Sequence, residues 1–479
     1  MRRAFWIRIV LASAALALAG CGDDGNGSGA DSGADSDTDA DSDTDTNGPP
    51  DGGPPGDGGQ GEMNIDDTIS DQAQSMTIAF DGLAFVTGSF CAQTFYPPGK
   101  VADFFGFQYL RDNDPTNMGH NTAFTTLTAD PVLAMLSDDQ LQALADLGAQ
   151  DKALADEYGY ARFPLAMAFR RLYDGDTPDG HPDLSQDAVE AYAGYLFSID
   201  GEMSFLRAQA YAYVLDSLTE EQKSQLLLVL DGAASPEWTA LQPADGVVDE
   251  ILAGYPASGG DLRTYAGEML AWYVGGVDPD VYFCPERQGT YFGSFFMKDI
   301  KAMHIPDYTI DSNMTADMGD SFLSTLTTEQ RSLVTDLVTT QKTSLLDIVT
   351  KRTDISDALR GFLASNSPDE ATILGLSEEY GALDGAISYF YATAFSSVGA
   401  TLSTDQFSTL MDLRKTATST DTEDFDDECT GAWLYSTEIA TPEVISTDFM
   451  FGVCASGGSS CSTDWDCCSF SCDGTICAG

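Results

Sequence analysis

The 479-residue chain is short of cations: 22 Lys and Arg stand against 76 Asp and Glu, for a formal net charge of −54. Such a field repels phosphate backbones and anionic headgroups, which removes nucleic acid from the partners to consider. Histidine is scarcer still, at three residues, so a site built from several imidazoles is excluded. The short signatures of common catalytic centres are missing too: no G-x-S-x-G, H-E-x-x-H, P-loop or C-x-x-C-H occurs. That weakens an enzymatic reading without closing it. A G-x-G-x-x-G does occur at Gly56 to Gly61, but no strand leads into it and no helix follows, so it carries no nucleotide-binding meaning. The early apolar run, Ile9 to Ala19, is too short to cross a bilayer as a mature helix.

What the chain does have is a pattern that occurs twice. A Leu-Ser/Thr-x-x-Gln box stands at Leu136 to Gln140, Leu218 to Gln222, Leu326 to Gln330 and Leu402 to Gln406. The hydroxyl can cap a helix while Gln three residues on returns a bond to the cap's own N–H, so each box predicts a helix start. After Leu326, apolar residues at Leu333, Leu337, Val338, Leu345, Ile348 and Val349 keep helical spacing. A later helix carries Tyr380, Leu383, Ile387, Tyr391, Ala394 and Val398, and Leu196, Ile199, Met203, Arg207, Ala210 and Val214 answer it in the earlier copy. Upstream, Leu83-Ala-Phe85 is echoed by Leu270-Ala-Trp272, Phe90-Cys91 by Phe283-Cys284, and Phe104 to Asp112 by Tyr291 to Asp299. The expectation is an all-α fold of two duplicated helical-hairpin or bundle units, at residues 68–230 and 262–415. Between them lies a linker at 231–261, rich in Gly and Ala, with Pro236, Pro243 and Pro256.

Two such boxes separated by a helical hairpin resemble the Spy/CpxP family of periplasmic proteins. The resemblance implies helical architecture, an export compartment, and a role in binding unfolded protein or peptide clients or in envelope stress. Members of that family resemble basic cradles whereas this chain is acidic, so the family's client-binding surface is not carried over to residues here.

Residues 1–20 read as an export signal: a basic start, Met1-Arg-Arg, precedes the short apolar run. The run ends Leu18-Ala-Gly-Cys21, which resembles the bacterial lipobox and implies cleavage before Cys21 with lipid on that cysteine. Gly22 resembles the residue that sends lipoproteins to an outer membrane. The expected location is therefore the bacterial cell envelope, with an N-terminal lipid anchor. Residues 21–67, mostly Gly, Asp, Ser, Thr and Pro, cannot bury a core and read as a self-repelling acidic spacer. Residues 416–453 read as an acidic connector.

The last segment, 454–479, spaces its cysteines as Cys454-x6-Cys461-x5-Cys467-Cys468-x3-Cys472-x4-Cys477. Six cysteines allow fifteen pairings. The spacing resembles an inhibitor cystine knot, and that resemblance implies Cys454–Cys468, Cys461–Cys472 and Cys467–Cys477. A zinc site is the competing reading, disfavoured by adjacent cysteines and the lack of a nearby His. Cys91, Cys284 and Cys429 remain, and sequence does not say which two of them pair.

Candidate sites are of two kinds. Arg162 and Arg352 occupy corresponding places on apolar stripes, Asp200 and Asp384 do the same on the next helix, and a buried guanidinium needs an acid. The expected buried ion pairs are Arg162–Asp200 and Arg352–Asp384, each Asp being followed by a mid-helix Gly that favours close approach of another backbone. In the functional version Glu202 adds a second carboxylate beside Asp200. The alternative is a metal-binding protein, with copper or another divalent ion held by Met118 and His120, by Met303 and His304, or near Asp200 and Glu202. Residues 174–183 resemble a calcium loop, but the third acid falls one place too late for EF-hand spacing, so a solvated loop is expected. The metal alternative predicts stoichiometric metal by elemental analysis of protein purified without chelators, lost on His120→Ala or Asp200→Ala; metal-free protein favours binding through helical surfaces.

Overall fold

The four boxes all close as their chemistry dictates. Ser137, Thr219, Thr327 and Ser403 each accept a hydrogen bond from the main-chain N–H of the Gln three residues on, at 3.4, 3.2, 3.2 and 3.2 Å. The side-chain carbonyl of each Gln accepts from the cap's own N–H at 2.8 to 3.0 Å. In the computed structural model, which describes residues 71–88, 123–161, 163–230, 241–256, 259–275, 277, 300–301, 309–310, 313–417, 446–473 and 475–477, helices dominate. They are α1 (Asp71–Thr87), α2 (Ala123–Met135), α3 (Asp138–Ala161), α4 (Phe163–Asp174), α5 (Gln186–Ser217), α6 (Glu220–Leu230), α7 (Val247–Gly254) and α8 (Gly259–Val274). After a two-residue antiparallel ladder, β1 (Ile300–Lys301) with β2 (Thr309–Ile310), come α9 (Asn313–Thr325), α10 (Thr328–Thr335), α11 (Leu337–Arg360), α12 (Glu370–Thr401) and α13 (Thr404–Ala417).

Each box glutamine does a second job that its sequence does not announce. Gln222 Nε2 donates to Gln140 Oε1 at 2.8 Å and to the Met135 carbonyl at 2.7 Å, while Gln140 Nε2 donates to the Ser217 carbonyl at 3.2 Å. Gln406 Nε2 likewise donates to Gln330 Oε1 at 2.8 Å and to the Thr325 carbonyl at 2.9 Å, and Gln330 Nε2 to the Thr401 carbonyl at 3.0 Å. Thus the residue that opens one helix also satisfies the orphan carbonyls at the end of another. Boxes about eighty residues apart in sequence are clasped in pairs.

At the centre, α5 and α12, each 32 residues long and so about 48 Å, cross antiparallel. Glycines set how closely they meet. A Cβ on Gly381 would lie 2.5 Å from the Ala193 carbonyl and 2.6 Å from Phe197 Cβ; one on Gly385 would lie 2.7 Å from Ala193 Cβ and 3.1 Å from Glu190 Cα. On the other helix, a Cβ on Gly201 would meet Ser377 Cβ at 2.7 Å, and one on Gly194 the Glu378 carbonyl at 3.0 Å. Gly201 and Gly385, the residues after Asp200 and Asp384, thus make the close approach expected of them.

Two layers of helices flank this pair. α3 lies on α5, and α2, α6, α7 and α8 pack around them; α11 lies on α12, with α9, α10 and α13 around it. The helix α1, which opens the earlier sequence copy, packs against α9 to α13, whereas α8, which opens the later copy, packs against α2, α3, α5 and α6. Packing therefore crosses the linear boundaries drawn at 230 and 262. The carboxyl ends of both opening helices are tied back: Arg170 Nη2 donates to the Phe85 carbonyl at 2.7 Å and Arg360 Nη1 to the Trp272 carbonyl at 3.0 Å. One contiguous apolar core runs from Ile78 through Trp272 and Tyr391 to Phe451. The stretch read as a linker includes α7, whose Val248 is buried in that core. No helix among the described residues is long and apolar enough to cross a membrane.

The C-terminal cysteines pair as Cys454–Cys468, Cys461–Cys472 and Cys467–Cys477, the pairing that the knot resemblance implies. This cluster is not tethered by a bare connector. Phe449, Met450 and Phe451 of a 3₁₀ turn, Asp448–Phe451, are buried against the helical body. Trp465 of the cysteine-rich segment stacks on Phe449, with ring centroids 5.5 Å apart, and meets Tyr192 of α5 at 4.6 Å. Arg171 holds the turn through Asp448 and Thr447 at 2.9 and 2.8 Å.

Gly381→Ala should lower stability, because overpacking a helix crossing costs about 1–3 kcal/mol against a propensity gain of about 1 kcal/mol. Gly375→Ala, whose Cβ meets nothing within 4 Å, should gain up to about 1 kcal/mol. Denaturant midpoints of the two variants, moving in opposite directions, check the crossing.

Candidate functional site

A buried polar cluster lies where α3, α5 and α8 meet. Arg207 of α5 donates from Nε and Nη2 to Asp151 Oδ2 at 2.8 and 2.6 Å, and from Nη1 to the two oxygens of Glu268 at 2.8 and 3.0 Å. Tyr211 donates to Glu268, and Tyr265 to Asp151 at 3.0 Å. The guanidinium also lies 5.1 Å from the centroid of the Tyr265 ring. Asp151 and Glu268 are almost wholly buried. Burial pushes the Glu268 carboxyl above the usual carboxylate range even against the pull of Arg207. For Arg207, burial opposes the charge, but Glu268, Tyr211 and Asp151 outweigh it and hold the guanidinium protonated. Removing one member of such a pair leaves a buried uncompensated charge, which costs about 3–5 kcal/mol. In the sequence Arg207 stands out only as a lone Arg among apolar residues at helical spacing, which places it on the buried stripe without naming its partners.

A second buried polar cluster, where α1, α11 and α12 meet, is built differently. There Gln341 of α11 accepts from Tyr391 Oη at 2.5 Å and donates to Gln74 of α1 at 2.8 Å. Asp81 of α1 is fully buried, and neither of its oxygens has a hydrogen-bond partner among the described residues. Desolvation drives its pKa well above the ordinary value, so burial favours the neutral carboxyl. Burial is also the largest influence raising the Tyr391 phenol, and negative charge on Asp81 or Asp384, when present, raises it further.

Of the sequence-derived ion pairs, Arg352, Asp384 and Asp200 are buried, as their stripes require, and Arg352 lies 5.6 Å from the centroid of the Tyr380 ring. Arg162 lies outside the described residues, as do Cys21, Cys91, Cys284, Cys429, Met118, His120, Met303 and His304. Glu202 is half-buried next to Asp200 on α5. Among the described residues, the one group of three potential metal ligands close enough to share an ion is Cys461, Cys467 and Cys477, all committed to disulfides. No such group includes Asp200 or Glu202. In the 174–183 loop, Asp174, Asp176, Asp179 and Asp183 are exposed, as a solvated loop requires, and His181 Nδ1 lies 2.9 Å from the Phe451 carbonyl.

A surface site lies where α11 and α12 run side by side with the start of α5. It is an open groove. It is lined by Thr340, Ser344, Asp347, Thr350 and Lys351 of α11, by Glu379, Ala382, Leu383, Ala386 and Phe390 of α12, and by Gln186 and Glu190 of α5. From Thr340 to Lys351 it runs about 16 Å at 1.5 Å of rise per residue. The lining thus combines three carboxylates, Glu190, Asp347 and Glu379, with the apolar Ala382, Leu383, Ala386 and Phe390, and Lys351 is the one cation among the lining residues. Sequence reasoning did not select them, because each reads singly as an ordinary solvated helix position.

No protein-family model, no curated protein and no solved structure matches the chain.

Asp81 makes stability pH-dependent with a definite sign. Its folded pKa is raised, so the native state holds the proton more tightly than the unfolded chain; the contribution is complete below the ordinary value of 3.8 and is lost as pH rises above it. The loss runs at up to about 1.4 kcal/mol per pH unit. Asp81→Asn should therefore be more stable than the parent at pH 7, with the gap closing towards pH 4, as measured by denaturant unfolding across that range. A gap independent of pH would assign the effect to packing.

Proposed function

We propose that the chain is a lipid-anchored cell-envelope binding protein that takes cationic, amphipathic peptide or protein segments into the groove between α11 and α12. The observation that carries this reading is the juxtaposition of Glu190, Asp347 and Glu379 with the apolar strip Ala382, Leu383, Ala386 and Phe390. Apolar contact supplies affinity there, and the acidic rim selects for Lys and Arg and speeds encounter. A chain of net charge −54 adds a long-range field of the same sign. The groove accommodates about three turns of a helix or about five extended residues.

Around this function stands a duplicated body. Three reciprocal features support that reading. The box glutamines clasp in two like pairs. Arg170 and Arg360 cap the opening helices in like manner. The same shift along the chain relates Gly201 facing Ser377 to Gly385 facing Ala193. The units have exchanged their opening helices, α1 for α8, and belong with Spy/CpxP-like helical repeats. In each, a buried Arg–Asp pair, Arg162–Asp200 and Arg352–Asp384, sets helix register. The Cys21 lipid and the 21–67 spacer hold this body off an outer membrane, and the cysteine-rich segment is a knottin-like module docked on the first unit.

Fluorescence anisotropy of full-length protein with a labelled amphipathic peptide, Lys-rich on one face and Leu-rich on the other, tests the binding. Saturable binding that weakens with salt is expected. Neutralising Glu190 and Asp347 together, at about 0.5 kcal/mol for each exposed charge, should weaken it about fivefold. Equal binding of a peptide with Glu in place of every Lys would remove the proposal.

A further inference from the structure

Of the three carboxylates over the groove, one is already occupied. Lys351 Nζ of α11 reaches across to form an ion pair with Glu379 of α12 at one end of the groove. Glu190 accepts a bond from the neutral Gln186 amide at 2.7 Å, and neither it nor Asp347 holds a cation among the described residues. The Lys351 side chain is 29% exposed and that of Glu379 59%, so the bridge is open to water and to competition. Two more acids stand within reach on its own helix. Asp347 lies one turn before Lys351 and Asp354 one turn after it, and with Glu379, whose hydrogen bond is the largest influence, they hold the ammonium above its ordinary pKa.

These contacts describe a cation that occupies the position a ligand's cation would take. On the binding reading given above, we infer that Lys351 is an internal competitor that gates the groove, its ammonium occupying Glu379 until an incoming Lys or Arg displaces it. Displacement is cheap. An exposed ion pair contributes little net stability, and Lys351 exchanges Glu379 for Asp347 or Asp354 at helical i, i±3 or i±4 spacing. The gate favours ligands with a basic residue at the Glu379 end and apolar residues towards Phe390. A single diffuse cation, or an apolar segment without a basic residue, gains nothing from opening it.

A double-mutant cycle on the affinity of the Lys/Leu amphipathic peptide tests the gate, using Lys351→Met, Glu379→Gln and the double variant of the full-length protein. Lys351→Met should tighten binding about fourfold, the scale of one surface ion pair. Glu379→Gln should change affinity less than about twofold while Lys351 is present, yet cancel the whole gain in the Lys351→Met background. Lys223→Met removes a cation that pairs with Glu220 on α6, away from the groove, and controls for bulk charge. If Lys223→Met tightens binding as much as Lys351→Met, or if Glu379→Gln has the same effect in both backgrounds, the gate is overturned while peptide binding stands. If the parent and all variants fail to bind the peptide, the binding reading falls and the gate with it.

Discussion

The architecture depends on the close crossing of α5 and α12. Two helices approach this nearly only where side chains are missing, and Gly194 and Gly201 on one and Gly381 and Gly385 on the other remove them where the backbones meet. Everything else is hung on that pair. α3 lies along one long helix and α11 along the other, and the layers beyond them are fastened by glutamines that cap the start of one helix and the end of another. A glycine costs helix propensity of about 1 kcal/mol, so its repeated use in the middle of helices marks a position where contact between backbones returns more than the local penalty.

Burial of charge is handled in two ways in comparable places. Around Arg207, two buried carboxylates and two phenols satisfy one guanidinium, and α8 is held in register by direct ionic bonds. Around Tyr391, Gln341 accepts from the phenol and donates to Gln74, and burial favours the neutral form of Asp81. The first arrangement is directional and specifies α8. The second tolerates α1 through packing and amide bonding, at the cost of a buried acid. The two opening helices are therefore not equivalent in how firmly they are held.

The surface follows a different economy. With so few cations in the chain, several of the described basic residues are drawn into contacts: Arg207 and Arg170 inside, Arg171 on the C-terminal turn, Lys351 across the groove. What is left over is carboxylate. A groove whose floor is apolar and whose rim is acidic then has a defined complement, a segment that is basic on one side and apolar on the other.

Much of the helical framework could be read from residues alone, because capping and amphipathic spacing are local. A Ser or Thr bonds to the N–H three residues on whatever the rest of the chain does, and the four boxes do so. The cysteine pairing was legible only through the resemblance of the spacing to a cystine knot, since six cysteines allow fifteen pairings. The glycines after Asp200 and Asp384 announced a close approach but not what would approach. Tertiary structure decided the clasping of the box glutamines, the packing of α1 against α9 to α13 and of α8 against α2, α3, α5 and α6, the gathering of Asp151, Arg207 and Glu268 from three helices, and the assembly of the groove from scattered solvated positions. These depend on which helix faces lie opposite one another, and a sequence pattern of period 3.6 says which face of a helix is buried without saying against what.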